Sequence, residues 1–223
     1  MLLSLVARRR VSVTTFTRII TTRMRNLFLF GSNSPFPHYR AWCCPKCITK
    51  IYPNFNKSDS GRVEFGEWDL EADNIKNKDR NNQTYNNVML RLHEEVEFWQ
   101  DSQIFNLERE RLLAKGISIE AIIKRYESLD RLRLYVKSTG KIPKSKQGCG
   151  PFEFNGIPVN IDRSGKAISA GGGMHRLALA QHFNVSKIPV EIFVVHAQSL
   201  PLYNWKSIIQ IPCTCHFDKT IMT

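Results

Sequence analysis

Apolar and polar positions alternate over Ile157-Pro158-Val159-Asn160-Ile161-Asp162, and a second apolar run follows at Ile188-Pro189-Val190-Glu191-Ile192-Phe193-Val194-Val195. Both read as strands. Between them, Leu177, Ala180 and Phe183 recur at helical spacing, with Asn184 placed as a C-cap. The order is strand, turn, short strand, glycine loop, helix, strand. Upstream, Val88 to Lys115 is helical in pattern, through Leu90, Leu92, Val96, Phe98 and Trp99 and then Ile104, Phe105, Leu107, Leu112 and Leu113. Asp101-Ser102 divides it into two helices, the second ending at Gly116. Ser118 opens a further helix to about Ser138, with Ile119, Ile122, Ile123, Tyr126, Leu129, Leu132 and Val136 on one stripe. Asp73 to Asn87 is Asn-rich and reads as a loop. The fold class expected is α+β, a small mixed sheet with packed helices.

Charge changes the picture at one end. The chain of 223 residues carries a net charge of +12, yet residues 1–58 hold ten of its 32 Lys and Arg and none of its 20 Asp and Glu. The remainder is left with 22 basic against 20 acidic residues, close to neutral. A nucleic-acid-binding domain would show a basic face of its own, so DNA or RNA is not the favoured partner. Residues 1–58 also cluster Ser and Thr (Ser12, Thr14, Thr15, Thr17, Thr21, Thr22). That composition fits an organelle transit segment, a basic disordered tail, or an upstream extension of a shorter protein. The segment is expected to be dispensable for the fold. No 18-residue apolar run is present, so no transmembrane helix is expected and the location expected is intracellular, cytoplasmic or organellar. Four regions follow: a basic extension over 1–58, a helical region over 59–118, a domain over 119–200 and a tail over 201–223.

The chemistry centres on Gly171-Gly172-Gly173-Met174-His175-Arg176. Three glycines at a helix start leave backbone N–H groups open to a ligand. Basic residues in a first turn oppose the helix dipole. An anion held between those side chains and the N–H groups would resolve that conflict.

This stretch resembles the sulfiredoxin and ParB amino-terminal domain superfamily. Sulfiredoxins carry Gly-Gly-Cys-His-Arg at such a helix start, and ParB-type proteins Gly-Glu-Arg-Arg before small and apolar residues like Leu177-Ala178-Leu179-Ala180. A sulfiredoxin basic-x-x-Ser-Leu segment is similar to Arg125-Tyr126-Glu127-Ser128-Leu129. Related archaeal, bacterial and phage proteins share the turn Asp162-Arg163-Ser164-Gly165, the strand Ile188-Pro189-Val190 ending at His196, and Gly66-Glu67-Trp68-Asp69. The resemblance covers roughly residues 62 to 200. It implies a nucleotide site built from Gly171, Gly172, Gly173, His175, Arg176, Arg125 and Ser128. The ligand implied is a nucleoside triphosphate, ATP or CTP, with Mg²⁺. Met174 stands where sulfiredoxins have the catalytic cysteine and ParB proteins a glutamate, so thiolate chemistry is lost. The readings that remain are a nucleotide-binding protein with phosphoryl transfer as its natural chemistry, a DNA-associated module, and a non-catalytic scaffold.

Asp162 and Glu191 flank the loop as candidate general bases. Asp162 also suits a cap on the Ser164-Gly165 turn, and Glu191, in an alternating strand, suits a solvent-facing position. Glu94, Glu95, Glu97, Glu108 and Glu110 read as a solvated helix face. Lys141, Lys144 and Lys146 form a short basic loop, and Cys149 a small loop residue. Cys43-Cys44-Pro45-Lys46-Cys47 contains one C-x-x-C, half of a zinc knuckle. Cys213-Thr214-Cys215-His216 would supply the other half only if the two ends of the chain meet. The site residues expected therefore include no metal ligand, with the thiols carried on separate flexible ends.

Overall fold

The structure is a computed structural model, and it describes residues 13–77, 83–94, 96–143, 156–207, 209–213 and 215. Its elements in chain order are α1 (Val13–Phe30), β1 (Tyr39–Cys43), β2 (Lys50–Ile51), β3 (Arg62–Glu64), β4 (Asp73–Asn74), α2 (Gln83–His93), α3 (Gln103–Leu113), α4 (Ile119–Thr139), β5 (Ile157–Ile161), β6 (Ala167–Ser169), α5 (Met174–His182), β7 (Ile188–His196) and β8 (Ile209–Gln210). The strands form one mixed sheet in the order β4-β2-β6-β5-β7-β1-β8, with β3 also paired to β7. The class is α+β, as the sequence predicts.

Strand β7 is the axis of the sheet. β5 runs parallel on one side, with Ile157 opposite Val190 and Val159 opposite Ile192. The other side is shared: β1 pairs antiparallel to the first part of β7, and β3 pairs parallel to Val194, Val195 and His196. Being covered on both faces, β7 is apolar almost throughout, as expected for a central strand. Ile157, Val159, Val190 and Ile192 join Leu177, Ala178 and Ala180 of α5 in the main core. Phe193, Val194 and Ile168 instead pack with Trp68, Tyr52 and Phe55 in a second cluster. Burying Leu177 completely contributes roughly 1.5–3 kcal/mol.

The helices keep their sequence signals. Ser102 N-caps α3 by accepting from the Phe105 N–H, so the second helix starts where expected, but the first runs Gln83–His93: it begins inside the stretch read as a loop and ends well before Asp101. Ser118 caps α4 by accepting from the Ala121 N–H, and Gly140 ends it in the left-handed conformation at φ 62°. Ile122, Tyr126 and Val136 are the fully buried members of its stripe, while Ile119 is exposed. Asn184, at φ 54°, closes α5 as expected.

The regional division needs correction. Residues 13–58 are not an extension, because β1 lies between β7 and β8 and β2 joins the sheet through β6. The Asn26 Nδ2 donates to the carbonyls of Pro35 and Gly61, tying α1 down as well. Short apolar strands such as β1 make too brief a periodic signal to stand out beside ten basic residues. The tail beyond residue 200 is equally structural. Trp205 and Ile211 are buried, and β8 runs parallel to β1. The start of the expected helical region, 59–77, consists of strands and turns. Residues 1–12, Lys144, Lys146, Cys149 and His216 lie outside the described residues. No helix among the described residues is long and apolar enough to cross a membrane.

Candidate functional site

The glycine loop leads from β6 into α5. Gly171 and Gly173 have φ of 86° and 69°, which L side chains rarely adopt. A Cβ on Gly172 would stand 2.5 Å from Pro158 Cγ. All three glycines are therefore fixed by backbone geometry and packing. Gly173 is the N-cap of α5 and has no side chain to cap it. The Gly171 N–H donates to Ser169 Oγ, and the Leu177 N–H to the Gly173 carbonyl. Among the described residues, the N–H groups of Gly172, Gly173, Met174 and His175 meet no backbone acceptor. Met174 is buried in the main core, so its thioether faces away from the loop opening.

Arg176 folds back over this loop. Its Nη2 donates to the Gly156 carbonyl at 3.3 Å, and the same nitrogen lies 3.3 Å from where a Gly173 Cβ would be. Any side chain at position 173 would thus occupy the space beneath the guanidinium. Burial lowers the Arg176 pKa from its ordinary value, though an arginine stays charged. His175 lies 6.3 Å from the Trp99 ring, centroid to centroid. Its pKa falls to about 4, chiefly through burial and also through the nearby charges of Arg125 and Arg176, with Glu108 opposing them. His175 is therefore neutral at pH 7. The conflict with the helix dipole read from the sequence is halved: Arg176 alone carries charge in the first turn.

Arg125, on α4, is exposed and close enough to act on His175. Ser128 is not brought in. Its hydroxyl donates to the Lys124 carbonyl and accepts from Arg131 Nη2, both on α4 itself. Glu108 is not a solvated carboxylate as expected but buried, accepting from Tyr126 OH and from Asn87 Nδ2 at 2.7 Å. Tyr126 stacks on Trp99 at 5.2 Å. Asp130 is also buried. It accepts from Arg91 Nη2 at 3.0 Å and from the Trp99 N–H at 2.7 Å. These contacts lock α4 and the Trp99 turn beside the start of α5.

The two candidate bases are occupied elsewhere. Asp162 Oδ1 accepts from the N–H groups of Ser164 and Lys166 and from Ser164 Oγ, so it caps its turn. Glu191 does not face solvent. It is buried and pairs with His38 Nδ1 at 2.6 Å, because both faces of β7 are covered.

Three motif segments quoted above do converge. Asp69 takes a forked pair of bonds from Arg163, with Nη2 to Oδ1 at 2.7 Å and Nε to Oδ2 at 2.8 Å, and a third from the Arg163 N–H at 3.1 Å. His196 Nε2 stands 4.0 Å from Asp69 Oδ1 and 2.9 Å from the Gly66 carbonyl. Burial alone would raise the Asp69 pKa, but the Arg163 hydrogen bonds pull it below the usual carboxylate range. This is an internal brace joining the 66–69 turn, the 162–165 turn and the end of β7.

The cysteines are the largest departure from the sequence reading. They do not sit on separate ends: the sulfurs of Cys44, Cys47, Cys213 and Cys215 lie within 4.8 Å of one another. The only sequence signal was the pair of close cysteine spacings, and nothing local indicated that β8 would bring them together. Comparison of the chain with protein-family models, curated proteins and solved structures returned no match.

Proposed function

We propose that the loop Gly171–Arg176 binds the phosphate group of a nucleotide. One observation carries the reading. The Arg176 guanidinium lies back over a glycine-lined helix start whose N–H groups have no backbone acceptor among the described residues. A phosphate there would take backbone N–H bonds, a charge-assisted bond from Arg176 and one from His175, at the favourable end of the α5 dipole. Arg125 supplies a further cation at the rim. Ser128 is dropped from the site for the reason given above.

The likeness of this loop to sulfiredoxin and ParB proteins supports a nucleoside triphosphate accompanied by Mg²⁺. The reading is one of binding. Asp162 and Glu191 are held in other contacts, so neither is free to take a proton in phosphoryl transfer.

A thermal-shift titration of the full chain with ATP, CTP, GTP and their diphosphates, with Mg²⁺, tests it. A ligand at a hundred times its Kd adds about 2.7 kcal/mol. Arg176→Ala should weaken binding tenfold to a hundredfold, or about 1.4–2.7 kcal/mol. It should leave the unliganded melt little changed, since removing a desolvated cation offsets the loss of its contacts, the 3.3 Å hydrogen bond to the Gly156 carbonyl among them. Arg176→Lys should recover part of the affinity, because a point charge does not reproduce the fork. A flat titration against every nucleotide would leave the glycines as turn-formers only.

A further inference from the structure

We propose that Cys44, Cys47, Cys213 and Cys215 form a four-thiolate zinc site that clips the beginning of the sheet to its last strand. Cys213 and Cys215 sulfurs are 3.0 Å apart, Cys44 and Cys215 3.4 Å, and Cys47 and Cys213 3.5 Å. A disulfide would need about 2.0 Å. Four sulfurs placed tetrahedrally at 2.3 Å from a zinc ion stand roughly 3.8 Å from one another. These three separations fall short of that spacing by less than an ångström and no pair exceeds 4.8 Å, so the cluster reaches zinc geometry by shifts of about an ångström or less.

Both halves are held in place before any ion arrives. Pro45 opens a single 3₁₀ turn in which the Cys47 N–H donates to the Cys44 carbonyl and the Ile48 N–H to the Pro45 carbonyl, each at 3.1 Å. The Lys46 N–H faces the Cys44 sulfur, and the Cys215 N–H faces that of Cys213. Amide donors to metal-bound sulfur are the outer contacts that fix such ligands. Gln181 of α5 braces the turn from behind, its Nε2 donating to the carbonyls of Pro45 at 2.8 Å and Ile48 at 3.0 Å. Tyr85 OH in turn donates to Gln181 Oε1. On the opposite side the Ile211 N–H donates to the Trp42 carbonyl at 2.8 Å, which carries the chain into Cys213.

An all-sulfur set of four selects a soft or borderline ion in a tetrahedral field, and zinc is the redox-inert choice. Four ligands leave no open position, so the site is structural. On binding, four Zn–S bonds form as four S–H protons pass to solvent, leaving a dianionic centre beside Lys46. This assignment is independent of the nucleotide reading.

The test is metal analysis of the full chain purified under reducing conditions. One zinc per chain is expected. Replacement by cobalt should give strong sulfur-to-cobalt charge-transfer absorption and the intense red d–d bands of a tetrahedral tetrathiolate. Cys213→Ser/Cys215→Ser should lose the metal. Cys43→Ala should keep it, since that buried thiol belongs to β1 and not to the cluster. Cys47→His should also keep it, as an imidazole can replace one sulfur. Should the double variant fail to fold, the cobalt spectrum of the unaltered chain decides. Protein without zinc, an octahedral cobalt spectrum, a red iron-containing product, a disulfide between any two of the four, or full zinc content in the double variant would each overturn the proposal.

Discussion

Lowering the pH should expose the state of His175. Its pKa falls from an ordinary 6.5 to about 4 in the folded chain. Between those values the unfolded chain binds a proton that the folded chain refuses. The stability tied to this histidine is therefore fully present above pH 6.5, declines as pH falls, and is gone below about pH 4. Worked through the linkage relation, the loss is about 2 kcal/mol at pH 5 and about 3 kcal/mol at its limit. His175→Gln keeps a polar neutral side chain but cannot titrate. Urea unfolding at pH 7 and pH 5 should show a loss about 2 kcal/mol larger in the unaltered chain than in the variant. Glu108, Arg125 and Arg176 face His175 in both proteins, so their own contributions largely cancel in the difference. Saturating nucleotide should shrink the difference, because a phosphate beside the ring favours its protonated form. Equal pH dependence in the two proteins would refute the argument that burial beside Arg125 and Arg176 holds this ring neutral.

Asp69→Ala should cost about 2 kcal/mol in urea unfolding, because it removes a buried carboxylate that takes three hydrogen bonds from Arg163. Arg163, whose side chain is 31% exposed, recovers part of the loss by hydration, and a loss below about 1 kcal/mol would show that the brace is not structural. Removing residues 1–58 should abolish cooperative melting, since it takes away α1, β1, β2 and two of the four clustered cysteines. A truncated chain that melts like the full one would refute the placement of β1 between β7 and β8.

What was legible in the sequence follows the length of each signal. α4 was readable from Ser118 to Gly140 because a long apolar stripe had a cap at both ends. β5, α5 and β7 were readable because their periods change from two to 3.6 and back across a glycine loop. β1 was not, since Tyr39–Cys43 offers only Ala41 and Cys43 as buried positions. Its assignment to the sheet depends on partners far away in sequence. The buried roles of Glu108 and Glu191 were hidden for a related reason. A carboxylate that accepts from Tyr126 or pairs with His38 looks the same in sequence as one that meets water. At the glycine loop, residue types drew attention to His175, Arg176 and Arg125, which the fold does bring near one another. They could not indicate that Ser128 spends its hydroxyl on its own helix, or that His175 would be uncharged.

Strand β1 sets a timetable for biosynthesis. Its partners lie far downstream: 171 positions separate Cys44, next to its end, from Cys215, just beyond β8. At 5–20 residues per second a ribosome takes roughly 10–35 s to cover that span. Until β7 has been made β1 has neither of its neighbours, and the edges it will later bury are open to other chains. The helices α3 and α4 can dock on the Trp99 turn meanwhile, since those contacts are short-range, whereas α2 waits for α5. Closure of the sheet therefore waits for β7 and β8, and β1 is most open to other nascent chains while it waits.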